Sequence, residues 1–476
     1  MDKEIFNFDN TYINLPNELY SKETPRKTKD PELILLNKKL CDKLSIDYKL
    51  LEKNGGNILS GNQTNQDMAL IAQSYSGHQY GYFTNLGDGR ALLLGEHLTE
   101  SDMRFDIQLK GSGQTKYSRR GDGRATLSSV LREYIISEAM YYLNIPTTRS
   151  LAVVEDKEKI KRHSFQRSGI LTRVAKSHIR IGTFEFAKTK GISTLKKLAD
   201  YTINRHFKKC KSSDNPYLCF FKKVIDKQAK LITKWQSIGF IHGVMNTDNV
   251  SISGQTIDYG PCAFMNSYDS KTVFSSIDRY GRYAYSNQGK ITHWNLEVLG
   301  NALLPLIDKN ESKAKIEINK ALKTFNIKYK AYYEDNFTNK IGIKNQRPDD
   351  INLVNELLEI MENNKMDFTN TFSSLDVKKN FENTHLSKWS RKWKERLNES
   401  EMTKDEINEF LKMTNPQIIP RNYIVEKVLK SSENENYKPL EEFLKVLKDP
   451  YNKNIDEKYK KPPSNTQEVK QTFCNT

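Results

Sequence analysis

Polar and apolar residues alternate without interruption over Arg104–Lys110, which predicts a β-strand. This alternation places Lys110 among the polar positions of one strand face. The segment 90–96 predicts a preceding strand, and the glycine-rich run 86–89 predicts the turn that leads into it. The pattern therefore predicts neighbouring strands that present polar side chains from one face.

Helical periodicity predicts at least three long helices. The first covers 126–143, and the second runs from about 221 to 238 with Gly239 as its C-terminal cap. A third begins at Asp349 and Asp350, whose charges favour a helix N-terminus. Together with the strands, these helices predict an α+β fold.

The composition is polar and basic, with 37% hydrophobic residues, 10% aromatic residues and a net charge of +16 over 476 residues. That length predicts about two to four structural units. The charge is spread along the chain without a basic motif interleaved with aromatics, so we expect no specific nucleic-acid partner. The apolar runs fall well short of the roughly 20 residues of a membrane-spanning helix, so we expect no membrane association.

The N-terminal segment and the cysteines bear on location. Residues 1–10 are acidic and polar, unlike a signal or transit peptide. The five cysteines are odd in number, scattered and without a CxxC pair, so we expect no structural zinc site and a reducing cytoplasm. They are Cys41, Cys210, Cys219, Cys262 and Cys474.

The chemistry-bearing residues of the first third follow the order of a protein-kinase N-lobe: a glycine-rich turn, a strand, a strand that ends in lysine, and a helix with glutamate. Gly87 and Gly89 would let the backbone approach a nucleotide, and Lys110 would supply a point charge for phosphates. Each of these signals is common on its own, so the interpretation as a kinase-like N-lobe rests on their order along the chain.

A second segment, from His242 to Asn249, has the spacing of the kinase catalytic loop. Asp258 begins an Asp-Tyr-Gly triplet where kinases have the metal-binding Asp-Phe-Gly, so Asn249 and Asp258 could share Mg²⁺ through oxygen ligands. The position of the kinase base holds Val244, which cannot accept a proton. Asp248 is the only nearby carboxylate of this loop.

These segments resemble the selenoprotein O family, also called the YdiU family, from about residue 75 to about residue 416. The resemblance rests on long motifs in a fixed order. The matching stretches are 75–79, 86–91, 108–113, 118–124, 131–133, 137–140, 145–149, 242–249, 257–261 and 281–283.

The resemblance implies a protein-kinase-like bilobal fold that works as a protein adenylyltransferase, with AMP transferred from ATP to Ser, Thr or Tyr hydroxyls of proteins. Members bind ATP in a flipped orientation. On this basis we expect a glycine-rich N-lobe with an N-terminal extension over 1–150, a C-lobe with the catalytic and metal loops over 151–305, and a helical extension over 306–476.

The resemblance also implies roles for individual residues. Asp248 would be the base, and Asn249 and Asp258 would hold Mg²⁺ or Mn²⁺. The residues that would contact ATP are Gly87, Gly89, Arg90, Lys110, Asp122, Gly123, Glu133, Arg173 and Arg180. Arg173 and Arg180 suit the charge of a pyrophosphate leaving group, because arginine donates bidentate hydrogen bonds to phosphates.

Two residues compete for the partner of Lys110. Helical spacing places Glu138 in the middle of the apolar stripe of its helix and Glu133 at the margin of that stripe, whereas the resemblance favours Glu133. We adopt Glu133, since a marginal position can still face the strand.

Many family members have a C-terminal cysteine or selenocysteine that is thought to pair with an activation-loop cysteine. Cys474 matches the first of these. The loop position holds Phe274, and Cys262 is the only nearby substitute.

The same chemistry could also transfer UMP from UTP. Two alternatives to nucleotide transfer remain open. The first is a phosphotransferase on the same fold, and the second is a catalytically weak kinase-like ATP-binding scaffold. We expect a monomer whose partners are ATP and protein substrates with accessible hydroxyls.

Overall fold

The computed structural model describes residues 5–79 and 81–473. Its strands are β1 Tyr20–Lys22, β2 Glu32–Leu36, β3 Ile71–Gln79, β4 Tyr82–Gly87, β5 Ala91–Leu98, β6 Arg104–Lys110, β7 Ala125–Thr126, β8 Arg149–Lys161, β9 Phe165–Ala175, β10 Phe240–Ile241 and β11 Ala263–Phe264. Its helices are α1 Lys38–Leu44, α2 Tyr48–Ile58, α3 Leu127–Tyr142, α4 Ile181–Thr189, α5 Ile192–His206, α6 Pro216–Ser237, α7 Gln288–Ile307, α8 Glu311–Lys340, α9 Asp350–Asn363, α10 Phe368–Ser373, α11 Ser387–Asn398, α12 Lys404–Thr414, α13 Asn422–Glu433, α14 Lys438–Leu447 and α15 Glu457–Lys460.

Within these residues, nine strands form one antiparallel sheet, and the predicted α+β class is confirmed. The main order is β1-β3-β5-β6-β9-β8-β2, with β4 paired to β3 and β7 paired to β9. The short strands β10 and β11 form a separate pair. Helix α3 packs across β8 and β9, so one face of the sheet is covered by a helix that carries site residues.

The strand prediction over Arg104–Lys110 is confirmed at both ends as β6. The preceding strand was predicted at 90–96 and lies at Ala91–Leu98. Helix α3 has almost the predicted bounds, because the Thr126 side chain caps it by accepting a hydrogen bond from the backbone N–H of Ser129.

The second predicted helix begins earlier than expected. Helix α6 starts at Pro216, where the Asn215 side chain accepts from the backbone N–H of Leu218, so an N-cap followed by proline was the missed signal. It ends before Gly239, whose φ of +69° suits glycine. Helix α9 starts at Asp350 as predicted, with Asp349 as N-cap.

Cys210 and Cys219 form a disulfide with Cα atoms 5.5 Å apart. The scattered spacing of the cysteines and the expected reducing compartment did not anticipate this bond. Cys474, which matches the C-terminal cysteine of the family, lies outside the described residues.

Among the described residues, no helix combines the length and the apolar character needed to cross a bilayer.

Candidate functional site

The site is built first on the pairing of β6 with β9. Gln108 lies opposite Arg173, and Lys110 is two residues further along the same face of β6. Arg173 donates to Gln108 Oε1 at 3.3 Å. The register of two buried strands therefore brings a lysine and an arginine to one place, although Arg173 is more than 60 residues away in sequence.

Glu133 on α3 joins these two cations. Lys110 Nζ donates to Glu133 Oε2 at 2.6 Å, and Arg173 donates to Glu133 Oε1 from Nε at 3.0 Å and from Nη2 at 2.6 Å. Burial alone would raise the pKa of Glu133, but Arg173 and Lys110 hold that pKa below its ordinary value. Glu133 is therefore an ionised carboxylate shared by two cations.

Glu138 has a different partner. Arg149 donates two hydrogen bonds to its carboxylate, at 2.8 and 2.6 Å, and Asn37 and the backbone N–H of Ser150 also donate to it. Lys110 thus lies against Glu133, and Glu138 belongs to a separate buried ion pair that ties α3 to β8.

Asp258 lies on the other side of the same cations. Its Oδ1 accepts from Lys110 Nζ at 2.9 Å and from Arg173 Nη2 at 2.6 Å. Burial alone would raise the pKa of Asp258, but Arg173, Lys110 and Arg180 hold it well below the ordinary value. Its φ of +61° is uncommon for a residue other than glycine, and strained backbone of this kind clusters at functional sites.

Arg180 is the third cation of the cluster and the N-cap of α4. Its Nη1 donates to Asp88 Oδ1 at 3.3 Å, and its guanidinium lies over the Tyr75 ring at 4.3 Å from the centroid. Its Nη2 lies 3.8 Å from Asp258 Oδ2. Asp88 and Tyr75 were not predicted as site residues, although both fall within the family stretches that were recognised.

The segment 242–249 supplies the remaining acidic and amide groups. His242 Nε2 donates to the carbonyl oxygen of Ile257 at 2.9 Å, which ties this loop to the Asp258 segment. Asn249 Nδ2 donates to the carbonyl oxygen of Val244 at 3.1 Å, and the amide oxygen of Asn249 is then available to a ligand. His242 therefore has a structural role between the two loops.

Asp248 is half-buried, but one of its carboxylate oxygens is enclosed. Its Oδ1 has no hydrogen-bond partner among the described residues, and burial raises its pKa to about 6. A Cβ atom at Gly77 would lie 2.3 Å from Asp248 Oδ1, so only glycine on β3 allows this close approach. Asp248 is consequently a carboxyl group that is poised to accept a hydrogen bond or a proton.

These residues surround an inner cavity of about 320 Å³. It is lined by Tyr75, Asp88, Gly89, Arg90, Ala91, Lys110, Arg173, Arg180, Val244, Asn246, Asp248, Asn249, Asp258, Gly260, Pro261 and Ile277. An adjoining outer cavity of about 620 Å³ is lined by Tyr75, Leu86, Gly87, Gly89, Arg90, Tyr117, Ser118, Arg119, Arg120, Gly121, Asp122, Gly123, Arg124, Arg162 and Asp248. The two cavities share Tyr75, Gly89, Arg90 and Asp248.

The glycines of the outer cavity have a structural reason of their own. A Cβ at Gly87 would meet the Tyr117 ring at 2.3 Å, and one at Gly89 would meet the Tyr117 carbonyl oxygen at 2.8 Å. Gly123 has a φ of +67° and lies close to the backbone of Gly113. These glycines therefore allow other parts of the protein, namely Tyr117 and Gly113, to approach their backbone closely.

Asp122 faces Arg162, with two hydrogen bonds of 2.7 and 3.0 Å between them. Its carboxylate is partly exposed at the rim of the outer cavity, with 44% of the side-chain surface accessible. Of the predicted site residues, Asp122, Gly87 and Gly123 line only the outer cavity, Glu133 lies behind Lys110, and the others line the inner cavity.

The residues present fit a divalent metal ion. Asp258 supplies a carboxylate and Asn249 an amide oxygen, and Mg²⁺ is often bound by one or two protein groups together with substrate phosphates. Within residues 5–79 and 81–473, no group of three His, Cys, Asp or Glu side chains is arranged around a common point to hold a metal. The nearby His78 lies against a carboxylate, with its Nδ1 2.8 Å from Glu185 Oε1.

Comparisons with known proteins identify the family. The model of the family described as protein adenylyltransferase SelO matches residues 4–448. A protein from Clostridium perfringens named protein nucleotidyltransferase YdiU is 48% identical over 479 residues, which is 99% of this chain and 98% of that protein. Proteins of the same name from Halalkalibacterium halodurans and Bacillus cytotoxicus are each 47% identical with the same coverage. The chain belongs to the SelO family, and it is an enzyme of the nucleotidyltransferase class.

Proposed function

We propose that this enzyme transfers AMP from ATP to the hydroxyl groups of Ser, Thr or Tyr side chains of proteins, with release of pyrophosphate. The observation that carries the proposal is the position of Asp248, which lines both cavities where they join. A nucleotide that spans the two cavities would place its α-phosphate at that junction. The relatives' names support the reaction class.

The charges of the two cavities favour a particular orientation of ATP. Lys110, Arg173 and Arg180 line the inner cavity and are suited to the β- and γ-phosphates. The outer cavity has the larger volume, and Asp122 and Gly123 would approach the adenosine there. This is the flipped arrangement expected from the resemblance, in which the pyrophosphate lies at the inner end.

The reaction is an in-line substitution at the α-phosphorus. The acceptor oxygen forms a bond to that phosphorus, the bond to the bridging α,β oxygen breaks, and pyrophosphate leaves with the electron pair. Asp248 accepts the hydroxyl proton, and the three cations of the inner cavity stabilise the charge that develops on the leaving group. Positioning and electrostatics supply most of such catalysis.

Mg²⁺ or Mn²⁺ would be held by Asn249 and Asp258. When bound, the metal ion would neutralise phosphate charge and make the pyrophosphate a better leaving group. The protein's own contribution is to keep Asp258 ionised among Lys110, Arg173 and Arg180.

Phosphoryl transfer of the kinase type is disfavoured by the same geometry. Val244 occupies the position of the kinase base and lines the inner cavity, where an apolar side chain can neither orient nor deprotonate a hydroxyl. A pure ATP-binding scaffold is the other alternative, and the presence of an ionised Asp258 and of Asn249 in the same cavity argues against it. UTP in place of ATP would use the same inner cavity.

We also propose that the fold is kinase-like and bilobal. The residue order that suggested it has structural counterparts: Lys110 at the end of β6, Glu133 on α3, and Asn249 and Asp258 on two loops tied by His242. The division of the chain into units at 1–150, 151–305 and 306–476 remains a prediction. The sheet extends past residue 150, because its strands β8 and β9 continue to Ala175. Cytoplasmic location and a monomeric state remain expectations of the same kind.

The test is the fate of isotope from labelled ATP. We expect label from α-phosphate-labelled ATP to appear on the protein, and no label from γ-phosphate-labelled ATP. The intact mass should rise by one AMP unit rather than one phosphate. Transfer of the γ-label would favour the phosphotransferase, and absence of both labels with an added protein acceptor would favour the scaffold. Competition with UTP would measure the nucleotide preference.

The two glutamates of α3 give a matched pair of substitutions. Glu133→Gln is expected to lower AMP transfer by about 10²-fold, because Lys110 and Arg173 lose the charge that positions them. Glu138→Gln is expected to destabilise the fold by about 3–5 kcal/mol, because Arg149 is left as an unpaired buried charge. Turnover by the folded fraction and urea unfolding would separate the two effects. A Glu138→Gln enzyme with the larger loss of turnover would contradict the assignment.

A further inference from the structure

Arg132 precedes Glu133 on α3, and its guanidinium has partners other than those of Glu133. It is only 8% exposed, and its guanidinium joins α3 to two other segments. Nη2 donates to the carbonyl oxygen of Cys262 and to Asn422 Oδ1, both at 2.7 Å, and Nη1 donates to Glu426 Oε1 at 3.0 Å. One side chain therefore connects three parts of the chain that are far apart in sequence.

The hydrogen-bond partners of Arg132 lie in the Asp258 segment and in α13. Cys262 follows Asp258 by four residues, so its carbonyl belongs to the segment that carries the proposed metal-binding carboxylate. Asn422 and Glu426 lie one turn apart on α13, in the C-terminal helical part. The guanidinium thus holds α3, the Asp258 segment and α13 in a fixed relation.

We propose that Arg132 is a positioning residue that fixes the rotation and depth of α3, so that Glu133 meets Lys110 and Arg173. This inference rests on the proposed function, since it assigns a role within that site. It also gives α13 a role in activity: the C-terminal helical part would hold the site in its working geometry without touching the nucleotide.

Helices α3 and α13 also pack through apolar side chains, so a positioning role of Arg132 can be distinguished from a role in holding the two helices together. Val425 and Leu429 of α13 share a buried cluster with Leu131 and Ile135 of α3, so the two helices stay packed when the guanidinium is removed. A small rotation of α3 would move the Glu133 carboxylate away from Lys110, and misplacement of about 1 Å at a catalytic group can cost about 10²-fold in rate.

Arg167 provides a matched control. It is a half-buried arginine that pairs with Glu155 in the sheet and donates to the carbonyl oxygen of Ser432 at 2.8 Å and to Tyr437 in the C-terminal helical part. It lies on β9 and touches neither α3 nor the Asp258 segment through the hydrogen bonds of its side chain. Arg167→Met therefore removes a comparable tether without altering the support of Glu133.

The experiment compares AMP transfer by Arg132→Met, Arg132→Lys and Arg167→Met in the full chain. We expect Arg132→Met to lower kcat by about 10- to 100-fold with KM for ATP changed by less than about threefold. Arg132→Lys should recover part of the loss, because lysine can reach one of the acceptors. Arg167→Met should keep kcat within about threefold of the parent, whatever its effect on Tm.

A double substitution sharpens the test. If Arg132 acts through Glu133, Arg132→Met should cause no further loss of kcat in a Glu133→Gln enzyme. Independent, multiplying losses would overturn the inference, and so would an equal loss of kcat in Arg167→Met.

Hydrogen exchange in the nucleotide-free protein gives a readout that does not need turnover. The amides of α3 should exchange faster in Arg132→Met and remain as in the parent in Arg167→Met. Failure of the proposed function would appear in the parent itself, as lack of AMP transfer. Failure of this inference would appear as equal α3 exchange in the two variants.

Discussion

Asp258→Ala is expected to abolish AMP transfer, with a loss of at least about 10³-fold in kcat. The carboxylate lines the inner cavity and contacts both Lys110 and Arg173, and it is also the proposed carboxylate ligand of the metal. Its removal therefore disturbs metal binding and the placement of the cations together. Initial rates with α-phosphate-labelled ATP would measure the loss.

The dependence of nucleotide affinity on metal gives this prediction a second readout. ATP should bind the parent more tightly with Mg²⁺ than with a chelator, and this difference should disappear in Asp258→Ala, since the variant lacks the ligand that joins metal to protein. Affinity without metal should not fall, because the inner cavity has lost a negative charge.

Asp88→Asn is the matched control for Asp258. It also removes a carboxylate charge from the inner cavity, where Asp88 contacts Arg180, but it leaves Asp258 and Asn249 in place. This variant should retain the effect of Mg²⁺ on ATP affinity. Near-parental transfer by Asp258→Ala would remove the kinase-like interpretation of the whole segment.

Local patterns in the sequence predicted those elements whose signals are local. The alternation over Arg104–Lys110 predicted β6, and the helical periodicity over 126–143 predicted α3. Lys110 and Glu133 were placed on the correct elements for the same reason. These signals rely on chain geometry within one strand or helix, which needs no knowledge of distant residues.

The choice between Glu133 and Glu138 of α3 shows what local sequence patterns cannot predict. A stripe of apolar residues indicates a buried face only when another face meets solvent. Nearly every residue of α3 from Leu127 to Met140 is buried, so position relative to the stripe could not tell Glu133 from Glu138. The resemblance made the choice, and the contacts with Lys110 and Arg149 distinguish the two residues.

Contacts between residues on different elements could not be predicted from periodicity either. The contacts of Arg180 with Asp88 and Tyr75 depend on how β3, β4 and α4 meet, and the contact of Arg173 with Gln108 depends on strand register. The disulfide between Cys210 and Cys219 likewise depends on the turn between α5 and α6. Such pairs follow from packing, which a single sequence does not display.

Asp248→Asn is the second substitution with a large expected effect. We expect it to lower AMP transfer by about 10²–10⁴-fold, because the amide keeps the shape of the side chain but cannot accept the hydroxyl proton. ATP affinity should stay within about threefold of the parent, since the carboxylate faces the acceptor more than the nucleotide. Isothermal titration with ATP and initial rates of AMP transfer would measure both quantities.

Val244→Asp tests the orientation of the nucleotide that gives Asp248 its role. The variant restores a carboxylate at the kinase base position, but it should not transfer the γ-phosphate, because in the flipped orientation that phosphate lies against Arg173 and Arg180 rather than beside the acceptor. The Asp248→Asn, Val244→Asp double variant should therefore be inactive with either label. Transfer of the γ-phosphate by the parent, or by Val244→Asp at a rate that rivals AMP transfer, would show that ATP is not flipped. The junction of the two cavities would then not hold the α-phosphate, and Asp248 would not be the base.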